Sequence, residues 1–173
     1  IPDFIFGASG NISYLRFDFS FFFQGVTGNE ILNIHKRDLY NTHSSNNKSP
    51  DVLNRWSEDN PGDEIPRIIN SDPNYNQRIS SRWIEDGSFM KLRNIQLGYN
   101  LPKSLLHKTG LGRLRIYVAA SNLYTVSNYS GYDPEIGTTS GYSTDHIPNL
   151  EKGIDYGYYP RSKTYQIGVQ IEL

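Results

Sequence analysis

From Thr164 to Leu173 the chain alternates without interruption. Tyr165, Ile167, Val169, Ile171 and Leu173 share one parity, while Thr164, Gln166, Gly168, Gln170 and Glu172 share the other. Successive side chains of a strand point to opposite faces, so a period of two is a strand signal. Residues 162–173 span ~40 Å at roughly 3.3 Å each, and a tilt near 45° reduces that to the thickness of a bilayer core. A strand of that length with one apolar and one polar face fits the wall of a transmembrane β-barrel, apolar side to lipid and polar side to lumen. A half-buried strand in a soluble sandwich alternates as well, so the decision falls to the rest of the chain.

A second segment with this pattern covers residues 17–28. Phe17, Phe19, Phe21 and Phe23 lie on one face, with Asp18, Ser20 and Gln24 opposite and Phe22 as the exception. Four phenylalanines on one strand face require a dry core or lipid. A weaker strand over 3–13 precedes it, through a tight turn near Tyr14–Arg16. Residues 29–81 then lose all periodicity and are rich in Asn, Ser, Asp and Pro, which reads as a long loop with at most a short helix at Asp51–Glu58. The next strand covers 86–101. Met90 and Leu92 are out of phase with Ile95, Leu97, Tyr99 and Leu101, and a one-residue bulge near Arg93–Asn94 reconciles them. After Pro102 comes a compact turn, with a helical turn at 104–108. A strand over 113–127 sets Leu114, Ile116, Val118 and Ala120 against Arg115, Tyr117, Ala119 and Ser121. A second long polar loop, 128–161, leads to the final strand. Connections thus run short, long, short, long, as tight periplasmic turns and long extracellular loops do in outer-membrane barrels.

Composition is compatible with this reading. A mean hydropathy of −0.58 suits a wall whose strands are half polar and whose loops are polar. A net charge of −1 gives no basic footprint for nucleic acid. The lack of cysteine removes disulfide and thiol chemistry. The 13 Tyr and 8 Phe suit aromatic girdles, and also carbohydrate-binding surfaces. The chain opens at Ile1-Pro2-Asp3 with no leader pattern, so it reads as a piece of a longer protein.

Several segments resemble the C-terminal part of SusC/RagA-type TonB-linked outer-membrane transporters of Bacteroidetes. The first are Ile1-Pro2-Asp3-Phe4 with Gly7, Phe17-Asp18-Phe19 and Phe22-Phe23-Gln24-Gly25. The most specific is Phe89-Met90-Lys91-Leu92-Arg93-Asn94-Ile95-Gln96-Leu97-Gly98-Tyr99-Asn100-Leu101-Pro102. Leu114-Arg115-Ile116-Tyr117-Val118, Ser121-Asn122-Leu123-Tyr124, Gly131-Tyr132-Asp133-Pro134-Glu135 and Tyr159-Pro160-Arg161 follow in order. The resemblance implies an all-β fold: residues 1–173 as the C-terminal five or so antiparallel strands of a 22-stranded transmembrane barrel with long extracellular loops. The plug and the N-terminal strands would lie outside this segment. It further implies a non-enzymatic wall of a nutrient importer in the outer membrane, with no cofactor. Its partners would be the rest of the barrel and its plug, a SusD-like surface lipoprotein, TonB through the plug, outer-membrane lipid, and an oligosaccharide or peptide substrate.

Within that frame Phe17, Phe19, Phe21, Phe23, Tyr165, Ile167, Val169 and Ile171 are expected to face lipid. Trp56, Trp83, Tyr132 and Tyr142, in or beside the long loops, are candidates for contact with substrate or lid, because aromatic faces stack on sugars and fill interfaces. Packing of the loops on themselves is the competing explanation for each. Asp133 and Glu135 flank Pro134 and are further loop candidates, against a rigid turn in which Asp133 satisfies backbone N–H groups. His35, His43, His107 and His146 have no metal-ligand spacing, and neither a Gly-x-Ser-x-Gly elbow nor a phosphate-cradling glycine loop occurs. The rival fold is a soluble all-β carbohydrate-binding module. Strand length discriminates, since soluble strands usually run about five or six residues.

Overall fold

The computed structural model describes residues 1–41, 43–62, 64–69, 71–107, 110–136 and 152–173. In chain order the elements are β1 (Phe4–Tyr14), β2 (Phe17–Thr27), β3 (Glu30–Asn33), α1 (Ile34–Leu39), β4 (Ile84–Asp86) and β5 (Phe89–Asn100). They continue with α2 (Lys103–Leu106), β6 (Arg113–Ser127), β7 (Ile154–Asp155) and β8 (Thr164–Glu172). Short 3₁₀ turns cover Pro50–Asn54 and Ser81–Trp83. The chain divides into a wall unit (Ile1–Asn29, Gly87–Asn128, Pro160–Leu173) and a loop unit (Glu30–Asp86, Tyr129–Tyr159).

The wall unit is one antiparallel sheet in the order β1-β2-β5-β6-β8. Its strands are 11, 11, 12, 15 and 9 residues long, the length of bilayer-crossing strands rather than of sandwich strands. Residues directly opposite one another in an antiparallel pair share a face. Ile12, Phe19, Leu97, Val118 and Ile167 therefore form one apolar row across all five strands. Tyr14, Phe17, Tyr99, Ile116 and Val169 form the next. The opposite face carries rows such as Asn11, Ser20, Gln96, Ala119 and Gln166. Among the described residues no protein layer covers the apolar face, where Ile167 is 82% exposed and Phe17, Tyr165, Val169 and Ile171 are also open. Water-soluble domains rarely leave so continuous an apolar face uncovered.

Local sequence explains the departures from strict alternation. Arg93 is the extra residue of the bulge: Phe22 pairs with Asn94 and Phe23 with Leu92, and the β5–β6 register shifts at the same point. The bulge restores Met90 and Leu92 to the face of Leu97. Phe22, the one phenylalanine of β2 on the polar face, lays its ring over Gly7 of the neighbouring strand. Gly168 stands directly opposite Tyr117 on that face, and the Tyr117 ring fills the space a side chain at 168 would need. Overpacking a filled site costs about 1–3 kcal/mol. A Gly168→Val variant of the complete protein should lose about 2 kcal/mol, read as a lowered unfolding temperature of the folded barrel band on a heated gel, whereas Thr164→Val should leave that temperature nearly unchanged.

The loop unit contradicts the expectation that residues 29–81 are structureless. It is built from the two long insertions and has its own sheet, β4-β3-β7. Its strands β3 and β7 run parallel, with Leu32 beside Ile154 and Asn33 beside Asp155. Ile31, Ile34, Val52, Ile65 and Trp83 are buried in this unit. Buried polar groups hold the chain reversals. Asn33 Oδ1 accepts the Lys36 N–H at 2.7 Å and caps α1, the usual role of an Asn at that position. Asp155, fully buried, accepts from the Tyr129 hydroxyl at 2.6 Å and from the Gly157 and Tyr158 N–H groups. The strand expected over 86–101 is correspondingly split. Ile84–Asp86 pairs with β3, and the wall strand starts at Phe89.

Candidate functional site

On the polar face of the wall, Arg115 ties three strands together. Its Nε donates to Asp18 Oδ1 at 2.9 Å, its Nη2 bonds Asp18 Oδ2, and its Nη1 donates to Gln170 Oε1 at 3.0 Å. Asp18 is on β2 and Arg115 on β6, so the pair reaches across β5 at Gly98. A Cβ at 98 would sit 2.6 Å from Asp18 Oδ1, and only glycine leaves the guanidinium and carboxylate room to meet. Bidentate Arg–carboxylate geometry is strong and directional. Arg93, thrown out of register by the bulge, donates its Nε to Gln24 Oε1 at 3.0 Å. A hydrogen-bonded polar surface of this kind suits a water-filled or plugged lumen, and alternation had marked its residues as inward-facing without indicating which would pair.

The loop unit holds a cleft of about 790 Å³, lined among others by Lys36, Tyr40, Asp51, Glu64, Arg82 and Trp83. Lys36 Nζ bonds Glu85 Oε1 at 2.7 Å. The Tyr40 hydroxyl donates to Asp51 Oδ2 at 2.6 Å, and Ser49 Oγ reaches the same oxygen at 3.0 Å. Burial and the Asp51 carboxylate push the Tyr40 hydroxyl up to about 12, and the Tyr40 and Ser49 hydrogen bonds hold Asp51 below its usual range. The Arg82 guanidinium lies 4.6 Å over the Trp83 ring. None of these cleft residues except Trp83 was singled out from sequence. Their one sequence signal is an aromatic beside an arginine at 82–83 inside a polar stretch.

The sequence candidates separate clearly. Trp83 is not an exposed contact residue: it is fully buried, its Nε1 donates to Arg78 O at 3.0 Å, and its ring meets Tyr40 edge-on. Its work is to hold the cleft wall. Trp56 is half-buried in a second, shallower pocket with Arg55, Glu58 and Arg67. Tyr132 is open to solvent, with one ring side near His35. Asp133 is buried, and its Oδ1 accepts the Glu135 N–H at 2.9 Å, the rigid-turn arrangement. Tyr142 and His146 lie outside the described residues. The structure brings Asp133, Glu135 and Tyr132 together as chain neighbours but places neither Trp56 nor Trp83 in a shared site with them.

Glu85 gives the loop unit a pH dependence. Burial opposes its ionisation, but hydrogen bonds from Lys36 and Ser130 win and hold its carboxyl below its ordinary 4.5. A depressed folded-state value stabilises the fold above about pH 4.5, and that gain disappears as pH falls through the folded value. Protease resistance of the loop unit in the complete protein should fall as pH drops below about 4.5. A Glu85→Gln variant should be less resistant at pH 7 and should lose less on acidification.

No family model matches the chain. It is 38% identical over 174 residues to TonB-dependent receptor P3 of Formosa agariphila, a match covering 99% of this chain and 16% of the relative. With TonB-dependent receptor SusC of Bacteroides thetaiotaomicron the identity is 26%, over 99% of this chain and 15% of the relative. The RagAB peptide importer in its closed-closed state superposes with a TM-score of 0.80 at 29% identity, over 99% of this chain and 17% of that one. The chain spans about a sixth of the length of the curated relatives it matches. Two-faced long strands, a hydrogen-bonded polar face and these relatives agree, and the chain belongs to the SusC/RagA-type TonB-dependent receptors as a segment of their β-barrel.

Proposed function

We propose that this segment is part of the wall and extracellular mouth of an outer-membrane nutrient importer driven through TonB. The observation that carries it is the apolar row Ile12, Phe19, Leu97, Val118 and Ile167, backed by a polar face tied by Arg115. Lipid takes the first face and the plugged lumen the second. The loop unit, made from the two long connections, belongs to the extracellular side in this reading. There it contributes to capture of an oligosaccharide or peptide, together with a SusD-like lipoprotein. The wall performs no bond chemistry; substrate passes when the plug, elsewhere in the polypeptide, rearranges. In the source bacterium, deletion of the gene should abolish growth on one class of oligosaccharide or peptide as sole nutrient, with the complete gene restoring it. Recovery of the complete protein in the soluble fraction, with no growth defect on any such nutrient, would contradict the proposal.

A further inference from the structure

The cleft of the loop unit contains a cation that, among the described residues, has no carboxylate partner. Of its charged lining residues, Lys36 is committed to Glu85 and Asp51 to Tyr40 and Ser49. Glu64 lines the cleft from an exposed stretch and makes no bond to Arg82. Arg82 is half-buried and, among the described residues, meets no carboxylate. Partial burial pushes its guanidinium below the ordinary value, so a partner carboxylate would offset some lost solvation. The guanidinium carbon lies 4.6 Å over the Trp83 ring, a cation–π contact that uses the face of the group and not its N–H edge. That edge matches a carboxylate in bidentate geometry. The cleft volume, about 790 Å³, falls in the range that takes a small ligand of several units. Asn54 and Asn60 also line the cleft, the Asn60 Nδ2 being committed to the Asn54 and Arg55 carbonyls, so the lining is polar and suits a hydrated body rather than an apolar one.

We propose that this cleft is a subsite for the carboxylate of a hydrophilic oligomer on its way into the receptor, with Arg82 as its anchor. The proposal rests on the importer reading and deepens it by naming the charge of the cargo. Two sources offer that group, an acidic sugar and an acidic peptide. The test titrates the purified complete receptor with trigalacturonate and with triglutamate, each against its neutral counterpart, the methyl-esterified sugar and triglutamine. The intact receptor should prefer one acidic probe to its neutral partner, and which one identifies the source. Arg82→Gln should weaken that probe about tenfold and leave the neutral one unchanged. Arg82→Lys, which keeps the charge but loses the fork, should fall between. If neither acidic probe is preferred, or if the preference survives in both variants, the proposal is overturned. The importer reading is judged separately, by the growth of the deletion strain.

Discussion

An Ile167→Arg substitution is expected to destabilise the inserted barrel by about 3 kcal/mol, the scale for a cation placed near the bilayer midplane on the lipid face. Ile167 lies close to the middle of β8, opposite Val118, and is 82% exposed on the uncovered face. Its neighbour Gln166 points the other way, opposite Ala119. Gln166→Arg adds the same charge one residue away, yet should be nearly neutral because it enters the polar lumen. The pair is read in the complete protein as the amount of folded, heat-modifiable barrel in the outer membrane. A large loss for position 167 and little for 166 is the expected result. Equal losses would mean that the faces have been assigned wrongly.

Trp83→Ala should have the largest effect within the loop unit, about 4 kcal/mol, as large-to-small changes at fully buried aromatics do. The indole has no exposure, donates to Arg78 O, and supports both Tyr40 and Arg82. Its removal leaves a cavity and takes the indole donor from the Arg78 carbonyl. Because the two units are separate compact bodies of contacts, the loss should be local. Limited proteolysis of the complete receptor should cut between Glu30 and Asp86 at low protease concentration while the wall strands stay protected. Trp83→Phe should recover part of the resistance by refilling the space without the N–H. Cutting unchanged from the parent would show that the loop unit is not held by this residue.

The wall was legible in the sequence because its information is local and periodic. Alternation in 113–127 matches β6 residue for residue, and the phase slip at Met90, Leu92 and Ile95 located the Arg93 bulge. A face that meets lipid along its whole length cannot tolerate a slipped register, so its pattern is strict. The loop unit was not legible. Its anchors Ile31, Ile34, Val52, Ile65 and Trp83 follow no period, and its sheet needs Leu32 to find Ile154 across most of the chain. Asn, Asp and Ser in that stretch read as loop formers, and here they act as caps and turn acceptors for a folded body. Trp83 shows why residue type alone misleads: an aromatic in a polar stretch marks either a contact or a small core, and burial decides.

Alternation of β8 between lipid and lumen can be read out by a single-cysteine scan of 164–172, leaving Gly168 unlabelled. This segment contains no cysteine of its own. Each variant of the complete receptor would carry a nitroxide label in a lipid nanodisc, with accessibility to oxygen compared with accessibility to a water-soluble nickel chelate. Oxygen maxima are expected at 165, 167, 169 and 171, with chelate maxima at 166 and 170. High chelate accessibility at both parities, with no period of two, would contradict it.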